Sequence, residues 1–246
     1  MSLLEVSAAT CAFGGVRALD GCTLSVDAGS ITGLIGPNGA GKTTLLNAVT
    51  GYTRINAGQV RFDGVSIENR PPDAVLGAGL GRTFQAGRVF PGLTVLENMH
   101  LGTSRPLLQR FRKWTQAPER ERSMTLLEFM GLEQLANERA DTLSGGQRKL
   151  LELAIVLGAE PRLILLDVPA AGINPSLLLQ LVERIRNLNA RGIAFLIVEH
   201  DMEFIVGLSH RMLVMHQGRV IADGTPDEVR ADQAVLDAYL GGVEPE

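Results

Sequence analysis

The stretch Ile31-Thr32-Gly33-Leu34-Ile35-Gly36-Pro37-Asn38-Gly39-Ala40-Gly41-Lys42-Thr43-Thr44-Leu45-Leu46 runs from a short apolar segment through a glycine-rich turn into a segment patterned as a helix. Brevity and near-continuous apolarity mark the first part as a strand, and Thr43 to Val49 reads as the helix. Between them, Gly36 to Thr43 fits G-x-x-x-x-G-K-[ST] at every fixed position. Glycines let successive backbone N–H groups turn towards phosphate oxygens. The helix that follows presents its positive end to the same charge. Lys42 can reach outer phosphates, and the Thr43 hydroxyl suits magnesium. A chance glycine turn is the plainer alternative, but the strand and helix stand on the correct sides for a phosphate loop. Asn38, Gly39, Ala40, Gly41, Lys42, Thr43 and Thr44 are therefore candidate nucleotide-binding residues.

Outward from this loop the chain keeps an α/β rhythm. Residues 22–36 read as strand, turn, strand, and residues 57–66 as an edge hairpin. Residues 92–156 are mostly helical in pattern, interrupted by Pro106, Pro118 and the charged run Glu119-Arg120-Glu121-Arg122. Leu163 to Leu166 and Ile193 to Val198 are short buried strands, with a helix over Ser176 to Asn189 between them. Arg211 to Asp223 reads as a hairpin around Gln217-Gly218. Thr225-Pro226-Asp227-Glu228 is a capping box with proline at the first helical position. It starts a last helix that ends near Leu240-Gly241-Gly242. Gly77-Ala78-Gly79-Leu80-Gly81 lacks the dinucleotide spacing and reads as a flexible loop. The layout is a parallel α/β core interrupted by a mainly helical insertion.

Bulk properties narrow the partners. A chain of 246 residues, 45% hydrophobic, suits one large domain or two intimate subdomains. The net charge of -4 and an aromatic content of 4% argue against nucleic acid. Cys11 and Cys22 form no CxxC pair, and His100, His200, His210 and His216 show no HExxH spacing. The start, Met1-Ser2-Leu3-Leu4-Glu5, does not read as a signal peptide. No run approaches the ~18 apolar residues that span a bilayer.

Leu143-Ser144-Gly145-Gly146-Gln147 narrows the phosphate-loop proteins to one family. Here the chain resembles the ATP-binding cassette family along essentially its whole length, in the family's order. Ser144 is also a plain helix N-cap before a glycine turn. The resemblance implies a P-loop NTPase with a RecA-like parallel sheet core, an antiparallel β subdomain and a helical signature subdomain. It implies one cassette over 1–246, with core and β subdomain in 1–88 and 157–224. The helical subdomain would cover 89–156 and a C-terminal helix 225–246. The implied ligands are ATP and Mg2+. Ser144, Gly145, Gly146 and Gln147 would act in trans, on nucleotide held by a second ATP-binding subunit.

Further positions follow from the same resemblance, one at a time. Gln85, in Arg82-Thr83-Phe84-Gln85, matches the glutamine that touches magnesium and senses the membrane partner. Asp167 matches the acid that positions the metal, alongside Thr43 and Gln85 as metal ligands. Ala171-Gly172-Ile173-Asn174 matches the loop that crosses the dimer interface. His200 matches the histidine at the terminal phosphate. Phe13 matches the aromatic that stacks on adenine; a plain core phenylalanine is the alternative. Catalysis would then involve His200, Gln85 and Asp167.

One position departs from the pattern. In Leu163-Ile164-Leu165-Leu166-Asp167-Val168, valine stands where the family usually has the glutamate that positions the attacking water. A valine side chain cannot accept a hydrogen bond or a proton. A plainer reading of Val168 is that it extends a buried strand. The resemblance thus implies a cassette that binds Mg-ATP but hydrolyses it slowly, or a non-hydrolysing ATP-binding switch.

Several stretches resemble the ATP-binding subunits of branched-chain amino-acid importers: Phe13 to Leu19, Arg82 to Gln85, Leu93 to Asn98, Pro169 to Pro175 and Gly224 to Leu240. Related cassettes serving amides, urea, or lipid or lipopolysaccharide export look similar. The resemblance implies transmembrane permease subunits as partners, a groove between Gln85 and Ser144 for a permease helix, and a peripheral position on the cytoplasmic face of the inner membrane. Membrane contact would be made only through the permease. Arg105, Arg110, Arg112 and Lys113, with Phe111 and Trp114, make a basic patch; a solvated loop is the preferred reading, anionic headgroups or the permease the alternative.

Overall fold

The computed structural model describes residues 1–84, 89–101 and 117–240. Two sheets carry the architecture. The first is antiparallel, with order β2-β1-β4-β5, built from β1 (Ser2–Phe13), β2 (Val16–Asp27), β4 (Ala57–Phe62) and β5 (Val65–Ser66). The second has order β10-β9-β3-β8-β7-β6. Its members are β3 (Ile31–Ile35), β6 (Leu80–Arg82), β7 (Leu163–Asp167), β8 (Ala194–Val198), β9 (Arg211–His216) and β10 (Arg219–Gly224). The run β6, β7, β8, β3, β9 is parallel, and only β10 is antiparallel to its neighbour.

The central strands β3, β7 and β8 are buried at every position. That is why their sequences read as continuous apolar runs rather than alternations. Their two faces serve two cores. Ile164, Leu166, Phe195 and Ile197 face one core with the helices, and Leu163, Leu165, Leu196 and Val198 face another with the antiparallel sheet.

The helices are α1 (Lys42–Val49), α2 (Pro72–Gly77), α3 (Val95–Leu101), α4 (Ala117–Met130), α5 (Gly145–Leu157), α6 (Pro175–Ala190), α7 (Met202–Leu208), α8 (Pro226–Ala231) and α9 (Gln233–Leu240). Val95, Met99, Leu127 and Leu150 share the first core with the sheet, so the inserted helices are packed onto it.

The structure corrects the sequence reading in three places. Gly77 to Gly81 is not a flexible loop: Gly77 ends α2, and Leu80-Gly81-Arg82 is a buried strand. Gly81 is needed there because a Cβ would lie 2.5 Å from Val156 Cγ1 on α5. The C-terminal helix expected over 225–246 is two helices, broken at Asp232, whose backbone is extended. The Thr225 capping box does form, with Glu228 accepting from the Thr225 amide at 2.7 Å. Finally, Val168 does not extend β7. The strand ends at Asp167, and Val168 turns to φ 50. Gln85, the basic patch from Arg105 to Trp114, and residues 241–246 lie outside the described residues.

Candidate functional site: a nucleotide cavity at three strand ends

Register explains why distant residues meet. Val198 pairs with Leu34 of β3 on one side and with Asp167 of β7 on the other. One step beyond these pairs the chain becomes the phosphate loop, the Val168 turn and the His200 segment. Ligands of open α/β sheets bind at such carboxyl ends. A cavity of about 390 Å³ lies there. Its walls are the loop from Asn38 to Thr44, Asp167, Val168, Val198, His200 and Ala18.

The loop is shaped by backbone conformations that only glycine adopts freely. Gly39 has φ 80 with open space around its missing Cβ, and it lines the cavity. Gly41 has φ 101, and a Cβ there would sit 2.4 Å from the Ala18 carbonyl. The strand β2 is thereby pressed against the loop, which is how Ala18 enters the wall; nothing local in the sequence marks it. Lys42 is buried, and its Nζ donates to the Gly36 and Pro37 carbonyls at 2.6 and 2.9 Å. Burial pulls its pKa below the usual lysine range, while nearby Asp167 opposes that.

Asp167 is buried and paired with Arg82, Nη2 to Oδ2 at 3.0 Å. The Val168 turn is held from both sides. Its amide donates to Val198 at 2.9 Å, and its carbonyl accepts from Lys149 Nζ at 2.7 Å. Lys149 also reaches the Pro169 carbonyl at 3.0 Å. Glu199, itself buried, accepts from the Ala170 amide at 2.6 Å and from the His200 amide at 2.8 Å. Arg82, Lys149 and Glu199 were not singled out from sequence. Each is a charged residue beside a motif, the weak signal that could have found them.

A Val168 side chain in a polar cavity leaves no carboxylate at that position. Glu199 lies close in sequence to His200, but its oxygens are engaged by backbone amides of Ala170, His200 and Asp201.

The remaining candidates are spread out. Phe13 is 53% exposed at the tip of the β1–β2 hairpin, which removes the core alternative. It is not part of the cavity wall. Ser144 caps α5 in a full capping box with Gln147, its own amide donating to Gln147 Oε1 at 2.9 Å. Gly146 is buried in the α5–α6 contact, where a Cβ would meet Leu177 Cδ2. These signature residues lie outside the cavity wall of their own chain.

A second cavity, of about 420 Å³, opens between the sheet edge and α3. Its described walls include Tyr52, Val75, Arg82, Phe84, Phe90 and Glu152. Glu152 is buried and accepts from the Phe84 amide at 2.8 Å. The Arg82 guanidinium stacks over the Phe84 ring at 4.8 Å.

For a magnesium ion the donor set fits. Thr43 offers an exposed hydroxyl and Asp167 a carboxylate, both on the cavity wall. Among the described residues there is no cluster of three or more His, Cys, Asp or Glu. One or two hard oxygens supplemented by phosphates and water is the usual magnesium environment.

Comparison with known proteins agrees with this geometry. The ABC transporter family profile matches residues 19–171, and the profile described as branched-chain amino acid ATP-binding cassette transporter matches 219–245. A probable branched-chain amino acid transport ATP-binding protein LivG of Archaeoglobus fulgidus is 36% identical, covering 100% of this chain and 98% of its own. The high-affinity branched-chain amino acid transport ATP-binding protein BraF of Pseudomonas aeruginosa is 36% identical over 97% of this chain and 98% of its own. A crystal structure of a nucleotide-free ATP-binding cassette from an ABC transporter superposes with a TM-score of 0.89 at 35% identity, covering 97% of this chain and 99% of that one. The ADP conformation of MJ1267, an ATP-binding cassette of an ABC transporter, gives 0.88 at 35% identity, covering 98% and 99%. With its phosphate loop, acid strand and histidine converging on one cavity, this chain belongs to the ABC transporter family, as an ATP-binding cassette.

Proposed function

We propose that the chain is the ATP-binding subunit of an importer for branched-chain or related amino acids. The observation that carries this reading is full-length similarity to relatives named for that transport, together with the matching C-terminal profile. Among the described residues no helix is long and apolar enough to cross a membrane. Membrane contact then comes through permease subunits at the cytoplasmic face of the inner membrane. Phe90, Asn98 and Leu101, from the span between Gln85 and Ser144, line the second cavity beside Tyr52 and Phe84, and that cleft receives the permease helix.

In this reading, Asn38 to Thr44 bind the phosphates through backbone amides, and Lys42 neutralises the outer ones. Thr43 and Asp167, with Gln85, hold magnesium. When bound, the ion neutralises charge on the outer phosphates. His200, on the same cavity wall, would donate to the terminal phosphate. Ser144 to Gln147 address nucleotide on a second cassette. Similar cassettes have been solved as dimers, one of them bound to ADP and Pi with a TM-score of 0.78.

Val168 makes hydrolysis slow. Its side chain neither accepts a proton from water nor orients it. This residue also favours a second reading, a non-hydrolysing switch whose partner cassette supplies turnover.

Uptake decides the transport reading. Deleting the gene should abolish high-affinity uptake of labelled leucine, isoleucine and valine, and plasmid copies should restore it. Unchanged uptake of all three sinks the substrate assignment.

A further inference from the structure

We propose that Arg82 is a positioning residue that fixes the metal acid Asp167 and ties it to the docking cleft. The inference rests on reading Asp167 as the metal acid. Arg82 ends β6, next to β7, and register places it opposite Leu165. Its side chain and that of Asp167 are each only 4% exposed. The guanidinium spends its two ends differently. Nη2 holds Asp167 Oδ2 at 3.0 Å. Nη1 donates to Asn47 Oδ1 at 2.7 Å and to Thr50 Oγ1 at 3.2 Å, at the far end of the phosphate-loop helix α1. One rigid fork therefore braces the acid against the helix that carries Lys42 and Thr43.

This bracing has a chemical consequence. A carboxylate with one oxygen pinned presents the other in a fixed direction. Partners of that kind around a metal ligand commonly change metal affinity by about 10- to 100-fold when removed. Arginine suits the task where lysine does not, because its planar group makes several directed bonds and also stacks. The stacking face is used: the guanidinium carbon lies 4.8 Å from the Phe84 ring centroid. Phe84 in turn meets Tyr52 edge-on at 5.3 Å, and both rings line the cleft. The Phe84 amide is fastened to Glu152 of α5. A body that moves Phe84 therefore moves the group that aims Asp167. Arg82 also lines the cleft itself, so a single side chain spans from cleft to acid.

The test compares ATP affinity in excess magnesium with affinity in EDTA, using the purified full chain. The ratio of the two isolates the metal's share of binding. Arg82→Met and Arg82→Lys are each expected to lower that ratio by about 10- to 100-fold, beyond any loss of metal-free affinity that follows from loosening α1. The lysine variant keeps a buried cation opposite Asp167 and serves if the methionine variant does not fold. Phe84→Leu, which removes the ring under the guanidinium, is expected to lower the ratio severalfold. Equal losses with and without metal would make Arg82 a general brace and overturn the proposal. A wild-type ratio in Arg82→Lys, with the ratio lost in Asp167→Asn, would overturn the proposal while sparing the metal acid. A wild-type ratio in Asp167→Asn would remove the reading of Asp167 and the inference with it.

Discussion

The turns after β3 and β7 flank the same strand, β8, and are built on opposite terms. After β3, each left-handed backbone position is a glycine: Gly36, Gly39 and Gly41, at φ 148, 80 and 101. After β7 the left-handed position is Val168 at φ 50. For an L-residue that region costs roughly 1–2 kcal/mol, and branching at Cβ makes it worse. The phosphate loop folds with its local preferences. The acid turn folds against them, held by Val198, Lys149 and, one step on, Glu199. Such over-determined conformations concentrate where chemistry or switching occurs. The difference teaches that one turn takes its shape from its own residues, while the other takes it from remote partners and presents an apolar side chain.

The largest expected effect tests that contrast at its centre. Val168→Glu should raise Mg-ATP turnover by about 10²–10⁴-fold, the usual worth of a general base. ATP affinity, measured beside it, should be nearly unchanged, because the phosphate loop is untouched. Matching and appreciable rates in both proteins would mean that another group positions the water. On the other turn, Gly41→Ala should cost about 1–3 kcal/mol in denaturant unfolding, from left-handed backbone strain alone. The clash with the Ala18 carbonyl adds to that, whereas Gly39→Ala meets open space and carries only the strain. Equal losses at both positions would show that β2 does not press on the loop. The smallest effect sharpens the account of the strain. Val168→Asn should be more stable than Val168→Thr by about 1 kcal/mol in thermal unfolding, since asparagine tolerates the left-handed region and a β-branched residue does not. The reverse order would mean that the turn is relaxed in solution.

Much of this was legible from local rules. The phosphate loop announces itself because its glycines, lysine and threonine are consecutive and stand between a strand and a helix. The buried strands are visible because both faces are apolar. The Thr225 capping box is written in adjacent residues. What stayed hidden depends on neighbours far along the chain. Glycine spacing suggested a loose segment at Gly77 to Gly81, but the approach of Val156 from α5 makes it a strand. Valine's preference for strands misled at residue 168, where three remote partners impose a turn. Arg82 lies 85 residues from Asp167, and only the β6–β7 register brings them together. Phe13 offered two readings, and exposure at a hairpin tip removed the core one.

The contact at Gly146 has a mechanical corollary. A Cβ there would lie 2.1 Å from Leu177 Cδ2, so α5 and α6 meet almost backbone to side chain. The carbonyl of Gly172 lies 3.8 Å from the point where a Gly145 Cβ would be. The end of one helix and the loop that leads into the next are thus meshed like teeth on a common gear. A side chain larger than hydrogen at residue 146 would have to displace Leu177 or push the two helices apart.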